Sequence, residues 1–191
     1  MLHRNKLRAC AFALLAASCA AAHAQLQFEG FLCCNMRSDG SWISDINYVG
    51  SSKQIVPAGT PLKVTGYGRH RVLVEFNGRN EAIGNDYSRT VKLEDFAQRY
   101  VVQKNPALEL EKFPAKIREA VKTMRITRGM TRQQVLMAVG YPIASATPEL
   151  DEALWRYWTS RSAEYQVLWG DDGRVDKIFG APETRALVVL E

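Results

Sequence analysis

Two adjacent cysteines, one histidine and one acidic turn are the residues whose types suit covalent or metal chemistry. His70 is the only histidine downstream of residue 24, so a Cys/His or Ser/His/Asp nucleophile would have to use it. It begins an alternating strand just after Gly66-Tyr67-Gly68, between Arg69 and Arg71, and reads as a surface histidine at a strand edge. Cys33 and Cys34 are sequence neighbours. A bond between them closes a small strained ring, and zinc needs more ligands than one histidine adds. Two thiols are expected, one in the core and one facing out, with an intermolecular disulfide as the alternative. Asp171-Asp172-Gly173 lacks the spaced acids of a calcium loop and reads as a hairpin turn. Nucleophile-elbow, zinc-protease and phosphate-loop motifs are absent from the sequence. Gly66-Tyr67-Gly68-Arg69-His70-Arg71 begins like a dinucleotide fingerprint but lacks its third glycine and its helix. The reading is therefore a non-enzyme with no cofactor and no metal.

The elements that would position these residues change character part-way along the chain. Before residue 104, strands and turns dominate. Ile43 to Val49, Gln54 to Val56, Leu62 to Thr65, His70 to Phe76 and Glu81 to Gly84 are candidate strands. Val72, Val74 and Phe76 alternate with Arg71, Leu73 and Glu75, and Asn77-Gly78 is a strong type I′ hairpin signal. Leu93 to Val101 suits a short amphipathic helix, and Lys104-Asn105-Pro106 is the best boundary. Beyond it the period becomes helical. Pro114 suits a helix start, with Ile117, Ala120, Val121 and Met124 as the apolar stripe. Thr131 and Gln134 form a capping box for a second helix, which Gly140 ends in the left-handed region. Strands over Leu154 to Thr159, Glu164 to Trp169 and Arg174 to Phe179 follow. The fold class is α+β. Residues 25–103 are expected to form a small β-barrel or curled sheet, and residues 104–191 two helices on a three-stranded antiparallel meander.

Residues 1–24 read as an export signal: a basic start at Arg4, Lys6 and Arg8, an apolar run from Ala9 to Ala22, and Ala22-His23-Ala24. Cleavage between Ala24 and Gln25 yields a periplasmic product. Leu15-Ala16-Ala17-Ser18-Cys19 resembles a lipoprotein cleavage box, so lipidation at Cys19 is the alternative and the one route to a membrane. The whole chain carries 25 basic and 20 acidic residues, a net charge of +5. The signal holds three basic residues and no acids, leaving 22 − 20 = +2, which argues against nucleic acid as a partner.

Gly129-Met130-Thr131, Val135-Leu136, Gly140-x-Pro142, Trp155-x-Tyr157 and Gly173-Arg174-Val175 together resemble the SmpA/OmlA (BamE-like) domain over roughly residues 110–180. The resemblance implies a binding scaffold among envelope proteins or β-barrel assembly components. Ile55 to Val64 is similar to a bacterial SH3-type barrel, which implies cell-wall peptides as a second class of partner. The function expected is thus protein–protein contact in outer-membrane or envelope assembly and maintenance, with peptidoglycan binding through the first domain as the alternative.

Two surfaces are candidates for contact. Alternation in the meander puts Trp155, Tyr157, Tyr165, Val167, Trp169 and Val175 under the helices and leaves Arg156, Trp158, Gln166, Leu168, Asp176 and Ile178 on the bare face. Trp158, Leu168 and Ile178 are its apolar anchors, with Arg156 beside them. Arg118, Lys122 and Arg125 read as one basic helix face suited to an acidic partner or anionic headgroups.

Overall fold

The computed structural model describes residues 27–191. Ala24, Gln25 and Cys19, and with them the processing and lipidation expectations, lie outside the described residues. The first half builds a curled eight-stranded sheet from β1 (Phe28–Leu32), β2 (Met36–Ser38), β3 (Trp42–Ser44), β4 (Gln54–Val56), β5 (Pro61–Gly68), β6 (Arg71–Phe76), β7 (Arg79–Gly84) and β8 (Val101–Val102). The spatial order is β4-β2-β3-β7-β6-β5-β1-β8, with β3 and β7 parallel and the other described neighbours of this sheet antiparallel. The strict alternation of β6 buries Val72, Val74 and Phe76. Asn77 and Gly78 both take positive φ, 50° and 71°, as a type I′ turn demands. A bulge between Val64 and Gly66 sharpens the curl. Helix α1 (Leu93–Tyr100) lays Phe96, Ala97 and Tyr100 on the concave apolar face.

Several elements depart from expectation. The strand anticipated over Ile43 to Val49 ends at Ser44, because the chain turns there and Asn47 sits at φ 55°. β1, β2, β8, a short helix over Ala107–Leu110 and a C-terminal helix α5 (Pro182–Val188) fall outside the expected elements, so the second half carries more than the two expected helices. Helix α5 places Val188 in the second core. His70 lies in the β5–β6 turn, its carbonyl accepting from the Asn85 N–H at 2.8 Å. Cys33 and Cys34 are joined as a disulfide, which corrects the expectation of two thiols. Cys33 is half-buried and Cys34 fully buried.

The second half places helices α2 (Ala107–Leu110), α3 (Ala115–Lys122) and α4 (Arg132–Val139) before the antiparallel sheet of β9 (Leu154–Ser160), β10 (Ala163–Trp169) and β11 (Val175–Gly180). The capping box is formed: the Thr131 side chain accepts from the Gln134 N–H, and the Gln134 side chain accepts from the Thr131 N–H at 2.9 Å. α4 ends at Gly140 with φ 86° but ψ −176°, so the glycine supplies positive φ without entering the left-handed helical well. α3 ends on Met124 at φ 53°. There the Arg125 N–H donates to Ala120 O and the Met124 N–H to Val121 O, a Schellman closure with methionine where glycine is usual.

Two apolar cores result. One lies between the curled sheet and α1, the other between the three-stranded sheet and α3, α4 and α5. A polar seam joins them. Asn35 Nδ2 donates to Val121 O at 2.6 Å, the Asn35 N–H to Met137 O at 2.9 Å, and Asn47 Nδ2 to Val139 O at 2.9 Å. Both asparagines are buried. Further along, the Val49 N–H donates to Thr159 O, and the Tyr100 and Tyr141 rings meet edge to face.

One buried acid gives a pH expectation. Burial pushes Asp45 up to about 6, against the main-chain N–H of Asp86 and Tyr87 that its carboxyl accepts. A carboxyl raised in the folded state binds its proton more tightly there than in the unfolded chain. Its contribution is therefore full below the unfolded value and is lost as pH rises through about 6. From pH 4 to pH 7 this one group should cost roughly 2 kcal/mol of stability. Urea melts of Asp45→Asn across that range should show this component of the slope removed. An unchanged slope would place the titration elsewhere.

Candidate docking surface

β9, β10 and β11 present one face to α3 and α4 and leave the other open. Trp155, Tyr157, Tyr165, Val167, Trp169 and Val175 are all buried on the helix side. This side is tightly organised. The Tyr157 and Tyr165 rings stack 5.3 Å apart, and the Trp155 and Trp169 rings meet edge to face at 4.7 Å. The Arg132 guanidinium lies 4.7 Å from the Trp169 ring centre and donates to Glu152 O at 3.1 Å, so it ties the loop before β9 to the tryptophan pair. Tyr157 donates to Gly140 O at 3.2 Å, and burial raises its phenol well above the ordinary range.

The open face follows from cross-strand register, since directly paired residues point the same way. Trp158 pairs with Glu164, Arg156 with Gln166 and Leu154 with Leu168. Across the other edge of β10, Gln166 pairs with Phe179 and Leu168 with Lys177. The face therefore holds Leu154, Arg156, Trp158, Glu164, Gln166, Leu168, Lys177 and Phe179. Gln166 Nε2 donates to Glu164 Oε1 at 2.7 Å, which ties that acid within the surface. Arg156 and Lys177 are exposed, as is Phe179 at 46%.

One anchor changes sides. Ile178 pairs with Val167, a buried residue of the helix side, and packs on the second core. The cause is a bulge: Trp169 pairs with Val175 and Leu168 with Lys177, so Asp176 is the extra residue. A bulge adds one residue to one strand and inverts the inward–outward sequence beyond it. Simple alternation therefore assigned Ile178 to the open face and missed Phe179 and Lys177. Asp176 points to the rim and pairs with Arg128 at 2.9 Å. No local signal in the sequence announces the bulge. Phe179→Asp should leave the melting temperature within about 2 °C, whereas Ile178→Asp should lower it by about 8 °C or more. Thermal melts followed by circular dichroism would reverse the register if the two exchanged behaviour.

The basic helix face is also reorganised. α3 stops at Lys122, so Arg125 follows the Schellman turn and does not share a helix face with Arg118 and Lys122. Those two converge on Glu111, at 3.8 and 4.0 Å. Exposed pairs of this kind contribute little energy, and the single Glu111 carboxylate offsets only one of the two positive charges.

Searches of protein-family models, curated proteins and solved structures return no match to this chain. Among the described residues, no helix is long and apolar enough to cross a membrane.

Proposed function

We propose that the chain is a non-enzymatic protein of the cell envelope, acting by protein–protein contact in outer-membrane or envelope assembly and maintenance. The observation that carries this reading is the open sheet face, where Trp158, Leu168 and Phe179 stand among Arg156, Gln166 and Lys177. Apolar anchors set among polar groups gain from burial while keeping the free surface soluble. Arg156 and Lys177 outnumber Glu164 on this face, leaving it net basic, so the fitting partner is a protein with an apolar patch rimmed by acids. The layered arrangement of the second half supports kinship with the BamE-like scaffold, and the curled first sheet suits an SH3-like module. A periplasmic place, with the outer membrane reached through lipid on Cys19 if that residue is modified, agrees with the export signal.

The test is a photo-crosslinking side chain at Phe179 in cells, with one at Ile55 of edge strand β4 as control. A discrete adduct to an envelope protein is expected from Phe179 and not from Ile55, and it should vanish in Trp158→Asp. Equal adducts at both positions, or none at Phe179, would remove the open face as the contact surface.

A further inference from the structure

Beside the seam between the two halves lies a groove of about 580 Å³. One wall is apolar, with Val102, Leu108, Leu136, Met137 and Tyr141, the rim carries Lys104 and Glu109 of opposite charge, and Cys33 of the Cys33–Cys34 disulfide lines it. Leu108 is 67% exposed, and α2, which carries it, has no buried residue. An apolar wall thus stands open beside half-buried Cys33 of the disulfide.

The geometry points to a thiol-exchange site that captures a cysteine held in an apolar peptide segment as a mixed disulfide on Cys33. Three observations converge. First, a disulfide's stabilising effect grows with the length of chain it closes, and this one links neighbours. It restrains almost none of the unfolded chain, so opening it leaves the fold standing. Second, the two sulfurs are unequal: Cys34 is 0% exposed within the first core, while Cys33 reaches the groove. An outside thiolate therefore meets Cys33. Third, the apolar walls favour side chains flanking the incoming cysteine over a small charged thiol.

The step is an exchange and needs no further oxidant. The incoming thiol loses its proton to water, and its thiolate attacks Cys33 Sγ. A new sulfur–sulfur bond forms there, the Cys33–Cys34 bond breaks, and the electron pair leaves on Cys34 Sγ, which takes a proton from water. Cys34 is fully enclosed in the first core, so a second outside thiol does not reach it and the adduct stays on Cys33.

The full chain, purified without reductant, would be mixed with a blocked pentapeptide carrying one cysteine between leucines, and separately with glutathione. Tandem mass spectrometry would locate the adduct. The expected result is one adduct on Cys33, one new free thiol on Cys34, and formation at least about tenfold faster with the peptide. Leu108→Asp, on an exposed helix, should remove the peptide's advantage without changing the glutathione rate. Uptake of two alkyl groups before any thiol is added, an adduct on Cys34, or equal rates for the two thiols would each overturn the proposal.

Discussion

Asn47→Ala is expected to lower the stability of the whole chain by about 3–5 kcal/mol. Its side chain serves three main-chain groups. The amide donates to Asn35 O at 3.1 Å and to Val139 O at 2.9 Å, and its oxygen accepts from the Arg37 N–H at 2.9 Å. Truncation leaves buried groups without partners, which costs about 1–3 kcal/mol each. It also leaves alanine at φ 55°, a region asparagine enters more readily. Asn47→Gly separates the two causes: it relieves the backbone but not the lost bonds, and should recover only about 1 kcal/mol. Because Asn47 joins the curled sheet to the end of α4, both halves should respond. A urea transition read by far-ultraviolet circular dichroism should move as one. A loss below about 1 kcal/mol would mean that the seam is a wet contact and each half stands on its own core.

Trp155→Asp should abolish folding, while Trp158→Asp should leave the fold intact and remove docking. The two residues are three apart on β9 but on opposite faces. Trp155 is 0% exposed, against Trp169 and under Arg132. Replacing it forfeits a large buried ring, about 3–5 kcal/mol, and adds a carboxylate in apolar surroundings, which costs several more. Such a sum matches the whole stability of a small domain. Trp158 is only partly exposed and pairs with Glu164, so an aspartate there loses part of a packed ring and faces a like charge, which should cost about 1–2 kcal/mol and leave the fold standing. Its effect falls on the partner: loss of one apolar anchor and a like charge facing an acidic rim should weaken binding by at least about tenfold. Melting of both variants, with the crosslinking yield of Trp158→Asp, decides this. If Trp158→Asp unfolds the chain and Trp155→Asp does not, the sheet is inside out.

The sequence by itself determined the features whose physics is local. The capping box needs Thr131 and Gln134 three apart, the Asn77-Gly78 hairpin needs two residues tolerant of positive φ, and the alternation of β6, β9 and β10 needs only the two-residue period of a strand. The mixed α+β class and the buried side of the tryptophan meander follow from those. Tertiary structure decided what depends on residues distant in sequence. The bulge at Asp176 exists only against β10, so it alone could send Ile178 inward and bring Phe179 out. Glu111 reaches Arg118 and Lys122 from beyond the start of α3. Met124 accepts a left-handed backbone because its side chain is buried in the core. Asn35 and Asn47, ordinary polar residues in the sequence, become the seam because their amides meet carbonyls 86 and 92 residues away. A polar side chain declares no partner until the fold brings one near, whereas a turn or a cap carries its partner within a few residues.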